Sequence, residues 1–135
     1  MRSATFAVRN TTRGTVLAAR AHGGGTFSES LRGLMFRARL GGDEALWLPG
    51  VNNLHMFFMR FPIDAVFVDG HPSETGARRV VAVRAGLRPW RDIVWWVRGA
   101  HGVLELAAGG AAASLTAVGD VIRFEESPPP LGARP

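Results

Sequence analysis

The sequence predicts a mainly-β α+β domain, a curled antiparallel sheet or small barrel with one amphipathic helix packed on it. Three observations carry that expectation. Short stretches rich in Val, Ile, Phe and Trp recur along the chain, each bounded by Gly, Pro, Asn or Asp. One segment has helical periodicity with a capping signal at its start. No strand–helix–strand alternation is present, which argues against a doubly wound parallel sheet. With 135 residues, 47% hydrophobic and 20% charged, the chain suits one folding unit around one core. We expect that domain over residues 1–126 and a disordered Pro-rich tail over residues 127–135.

The elements follow in order. Ala4 to Arg9 alternates, Asn10-Thr11-Thr12-Arg13-Gly14 turns the chain, and Thr15 to Ala19 is extended again, which predicts a hairpin. Gly23-Gly24-Gly25 ends it. Thr26-x-x-Glu29 has the capping-box pattern and Phe27, Leu31, Leu34 and Met35 share one face, so a helix is expected from Ser28 to about Arg37. Ala45 to Leu48 is a short strand stopped by Pro49-Gly50. His55–Phe61 and Ile63–Asp69 are expected as two extended segments broken at Pro62, because proline cannot donate to an inner ladder. A polar turn from Asp69 to Gly76 leads to a returning strand, Arg79 to Arg84. Ile93–Val97, Val103–Leu106 and Val121–Phe124 are further strands, with room for a turn of helix between Ala107 and Leu115.

Composition excludes several chemistries. The absence of Cys removes disulfides, thiolate catalysis and cysteine-ligated metals, and the absence of Lys and Tyr removes Schiff bases and phenolic acids. No apolar run is long enough to span a bilayer, and the N-terminal apolar stretch is too short for a signal-peptide core. No membrane partner and a cytoplasmic location are therefore expected. The net charge of +5 comes from sixteen arginines scattered along the chain, so nucleic acid is expected to bind only weakly, if at all, and without sequence preference.

The runs Leu31-Arg32-Gly33-Leu34-Met35-Phe36-Arg37, His55-x-x-x-Met59-Arg60-Phe61-Pro62-Ile63-Asp64-x-x-Phe67-x-Asp69, Pro89-Trp90-Arg91, Val103-Leu104-Glu105-Leu106-Ala107-Ala108-Gly109 and Gly119-Asp120 stand in this order. Together they resemble the domain-of-unknown-function 192 family, also called the uncharacterised UPF0127 family. The resemblance covers the chain from the first hairpin to the last strand. It implies a compact, mainly-β prokaryotic domain and brings no established reaction with it. The chain departs from the family pattern at Phe58, where glycine or tryptophan is common, and at Ala107, where proline is.

The run from His55 to Asp69 is the most apolar and aromatic in the chain, yet it carries His55, Arg60 and Asp64. His55, Met59, Arg60, Asp64, Trp90, Arg91 and Glu105 are the candidate ligand-binding residues. Arg60 or Arg91 could hold an anionic group, with Trp47, Phe58 and Trp90 as apolar walls. The leading expectation is a binding module for a small ligand, anionic ones included, or for a protein partner. The alternatives are a metal-independent enzyme using His55 with Asp64 or Glu105, and a weak nucleic-acid binder. Met56 and Met59 could join His55 around a soft ion, but alternation sends Met56 to the opposite face, so neither a metal nor a cofactor is expected. Trp90 between Arg88 and Arg91 could stack on a base, although one aromatic is not a platform. Asp64 leaves an apolar stretch and must be satisfied by backbone donors at the Pro62 bend or by Arg60 or Arg91.

Overall fold

Alternation in the first twenty residues folds into a hairpin of β1 (Ala4–Asn10) and β2 (Thr15–Gly23), as the sequence predicts. The computed structural model describes residues 4–23, 40–57, 59–70 and 76–126. The expected helix from Ser28 to Arg37 and the Pro-rich tail lie outside the described residues. The remaining strands are β3 (Glu44–Pro49), β4 (Leu54–His55), β5 (Ile63–Val68), β6 (Ala77–Leu87), β7 (Ile93–Val94), β8 (Gly102–Ala107) and β9 (Val121–Glu126). One short helix, α1 (Gly110–Ala113), is present among the described residues.

Seven strands close into a barrel in the order β1-β2-β3-β8-β5-β6-β9, with β9 pairing back onto β1. All neighbours are antiparallel except β2 and β3. A parallel pair needs a crossover connection of a dozen or more residues, which the long segment between β2 and β3 supplies. Closure leaves no barrel strand with an open edge.

The barrel has two apolar layers. Its lumen is filled by Val8, Leu17, Trp47, Val66, Leu104 and Ile122, drawn from strands all around the circle. Gly102 makes room for the Trp47 indole, which a side chain at that position would strike. Outside the barrel, Leu46, Ile63, Ala65, Phe67, Leu87 and Val103 form a second apolar face. β5 is therefore buried on both sides, and fully burying a residue such as Phe67 contributes roughly 1.5–3 kcal/mol. A bulge between β5 and β6 sets Phe67 opposite Ala82 but Val68 opposite Val80, which lets Ala82 serve the outer layer and Val80 the lumen.

A cap covers the outer layer. It consists of residues 51–57, 59–61 and 88–100, joined by the β4–β7 pair, in which Leu54 faces Val94 and His55 faces Ile93. Backbone bonds extend that pairing: Met56 N–H donates to Asp92 O (3.0 Å), Trp90 N–H to Met56 O (2.7 Å) and Val97 N–H to Asn52 O (2.8 Å). The inner side of the cap, including Met56, Met59, Phe61, Val94 and Val97, packs on the barrel. Two expectations are corrected here. His55–Phe61 is not one extended segment, because the chain turns after His55 and Met59 N–H donates to Met56 O (3.3 Å). The expected strand Ile93–Val97 is regular only over Ile93–Val94, since it pairs with the two residues of β4 and nothing longer.

Candidate functional site

Asp64 stands on the lumen side of β5, beside Leu106 of β8, and is 1% exposed. Its carboxylate accepts from three backbone amides: Gly86 (2.8 Å), Gly109 (3.1 Å) and Ala111 (3.0 Å). Gly109 is the N-cap of α1 and cannot supply a side-chain acceptor, so Asp64 caps this helix from another strand. The expected partners are thus corrected: the donors come from Gly86 and the α1 start, not from the Pro62 bend, Arg60 or Arg91. A β-strand register decided this, because it set Asp64 against the β8–α1 junction.

A second polar cluster ties the β1–β2 turn to the α1–β9 connection. Asp120 accepts from the Asn10 amide (3.0 Å), the Arg13 guanidinium (3.1 Å) and Ala117 N–H (3.0 Å). Those donors hold its carboxyl down at about 2. Asn10 also donates to Thr116, whose hydroxyl pairs with Ser114, and all of these side chains are buried. This cluster was not foreseen, and Gly119-Asp120 was its one visible trace.

Glu105 is different. It lies on the outer face of β8, flanked by Leu46 of β3 and Ala65 of β5, and is 2% exposed beneath the cap layer. Its Oε2 has no hydrogen-bond partner. Burial in this apolar layer pushes the carboxyl up to about 8, so it is largely protonated near neutrality. No hydrogen bond joins its Oε2 to His55 or Asp64. A carboxylate–imidazole contact is found elsewhere, between His22 Nε2 and Glu44 Oε2 (3.1 Å), with Glu44 Oε1 also accepting from Gly41 N–H (3.1 Å). The sequence reading missed this pair because His22 and Glu44 meet only through the parallel β2–β3 register.

The other candidates sit on the cap. His55 is exposed, its ring 5.2 Å from that of Phe57. Met59 is buried with Met56 in the outer layer, on the side away from His55. That corrects the expected grouping of Met59 with His55, and its cause is the turn after Met56. Arg60, Trp90 and Arg91 are exposed. Trp90 adopts a positive φ of 65°, an uncommon and strained choice for a bulky residue. Asp92 closes this turn by accepting from Arg88 N–H (2.6 Å) and the Arg88 guanidinium (3.0 Å), bonds that hold its carboxyl down at about 2. Trp47, expected as a pocket wall, lies in the lumen, and Phe58 falls outside the described residues.

A cleft of about 270 Å³ opens where the cap leaves the barrel. Leu48, Val51 and Leu54 supply apolar walls, and Asn52, Asn53 and His55 supply polar groups. Asn53 Nδ2 donates to Asn52 Oδ1 (3.0 Å), which orients both amides at this rim. Of the sequence candidates, His55 alone lines the cleft. No group of three or more His, Cys, Asp or Glu side chains that could hold a metal is present among the described residues. No helix among them is long and apolar enough to cross a membrane.

A closed seven-stranded barrel with a capped outer face defines the class of protein. The chain belongs to the domain-of-unknown-function 192 family, described as an uncharacterized ACR, whose model matches residues 8–124. A crystal structure of a protein of unknown function from Novosphingobium aromaticivorans is similar, with 26% identity and a TM-score of 0.68 over 90% of this chain and 84% of that one. A second, from Sinorhizobium meliloti, is described with a suggested role as a transcription regulator; it shares the fold at 20% identity and a TM-score of 0.73, over 92% of this chain and 96% of that one. No curated protein matches the sequence.

Proposed function

We propose that the protein is a binding module that takes a small ligand in the cleft at the root of the cap. The cleft itself is the observation that carries this reading. Its walls are mostly apolar, and a few polar groups converge on it, the composition by which proteins bury a ligand body and fix its orientation. The His55 imidazole and the Asn52–Asn53 amides offer donors and acceptors to a polar or anionic group. Arg60 and Arg91 do not line the cleft, so neither is needed to hold the ligand.

A metabolite screen by thermal shift tests this. Ligands that raise the melting temperature of the natural chain should lose that effect in His55→Ala and Asn53→Ala, which alter exposed side chains and should melt normally without ligand. Hits that survive both substitutions would place binding elsewhere.

A second reading, acid–base catalysis without a metal, is favoured by Glu105, whose raised pKa suits a general acid near neutrality. It has a weaker basis, because the expected partner His55 is exposed on the cap while Glu105 is buried beneath it.

A further inference from the structure

We propose that the outward face of the cap binds single-stranded nucleic acid, stacking bases on its exposed aromatic side chains and holding phosphates with its arginines. This goes beyond the cleft and rests on a different observation. Three of the four tryptophans lie on the cap and are exposed, Trp90 at 57%, Trp95 at 77% and Trp96 at 67%, and Phe57 is exposed at 41%. Large exposed apolar patches mark interaction surfaces, whereas isolated apolar side chains do not.

These side chains all lie on the two paired segments of the cap. Val94 is buried and Ile93 exposed, and just beyond this two-residue strand Trp95 and Trp96 are both exposed. His55 stands opposite Ile93, and Phe57 packs its ring against His55. Trp90 is tied to the same place through its bond to the Met56 carbonyl, in the strained turn that Asp92 closes. The single aromatic visible between Arg88 and Arg91 is thus one member of a larger platform.

Charge selects the partner. The cap segments carry Arg60, Arg88, Arg91 and Arg98 against one acid, Asp92, an excess of three out of the chain's net five positive charges. Arg88 is committed to Asp92, whereas Arg60 and Arg98 make no ion pair among the described residues. A cationic surface interleaved with flat rings fits an anionic polymer that has flat rings of its own. Duplex DNA or RNA hides its base faces, so the strand must be single. An acidic peptide would answer the charge and leave the indoles unused. A bilayer interface also takes indoles beside arginines, and the vesicle arm of the test distinguishes it from a strand. Stacking needs no base-edge contacts, so little sequence preference is expected.

The test uses the full chain with a labelled oligothymidylate, a random RNA of equal length, a duplex and an abasic strand, followed by anisotropy and tryptophan fluorescence at low and high salt. The expected result is binding of both base-bearing single strands with tryptophan quenching, much weaker binding of the duplex and the abasic strand, and a steep loss with salt. Trp95→Ala or Trp96→Ala should each weaken binding about tenfold while leaving the salt slope unchanged. Arg98→Ala should reduce that slope by about one. Because the abasic comparison needs no variant, a poorly folding substitution does not spoil the test. Equal affinity for abasic and base-bearing strands would overturn the proposal, as would absence of binding. Quenching by phosphatidylglycerol vesicles but by no oligonucleotide would overturn it in favour of a membrane surface.

Discussion

Asp64 and Glu105 sit on neighbouring strands, Asp64 opposite Leu106 and Glu105 opposite Ala65, and both are hidden from water. They face opposite ways. Asp64 looks into the barrel, where three backbone amides converge on its carboxylate, while Glu105 looks into the apolar layer under the cap, where its Oε2 meets no donor. Burial alone therefore says little about role. A carboxylate whose two oxygens both accept from backbone amides is part of the framework, and one with an unanswered oxygen weakens the framework unless it stays protonated.

The sharpest way to break this comparison is to remove Asp64. Asp64→Ala strands the amides of Gly86, Gly109 and Ala111 and should cost about 3 kcal/mol in urea denaturation. Asp64→Asn should cost less, because its amide oxygen still accepts on one side. An unchanged unfolding midpoint for Asp64→Ala would show that α1 does not depend on this cap.

Glu105 should behave in the opposite sense. In the unfolded chain its carboxyl loses its proton near the ordinary value of 4.5, whereas the folded protein keeps that proton up to about 8. Between those limits the folded state binds more protons, so stability should fall as pH rises from about 5 to about 8 and then level off. Glu105→Leu should abolish that fall and raise the melting temperature by several degrees at pH 8, with little difference near pH 5. A flat profile for the natural protein over this range would mean that Glu105 finds a partner in solution.

Asp120 provides the smallest effect. Its folded pKa of about 2 lies below the ordinary 3.8, so its stabilising contribution is complete above that ordinary value and is lost as pH falls towards 2. Asp120→Asn should flatten this acid limb while leaving the profile above pH 5 parallel to that of the natural protein. An acid limb that survives the substitution would assign it to other carboxylates.

Much of the framework was legible because it depends on local pattern. The β1–β2 and β5–β6 hairpins follow from alternation and turn residues, and the break at Pro62 falls where a missing N–H requires it. The candidate site was less legible. Ile93-Val94-Trp95-Trp96-Val97 has the composition of an inner strand, yet both tryptophans face solvent, because apolarity favours burial without naming what will cover each side chain. His55 and Met59 were expected on one face by alternation, and the Met56–Met59 turn separates them.

The sequence by itself determined the mainly-β class, the family and the need for Asp64 to find donors, since each rests on residue types at short spacing. Tertiary structure alone decided that the donors are Gly86, Gly109 and Ala111, that Glu105 has none at Oε2, that His22 meets Glu44, and that three tryptophans share the outside of the cap. The physical reason is register. A shift of one residue between paired strands sends every side chain to the other face, and long-range pairing, which no local pattern encodes, chooses among those registers.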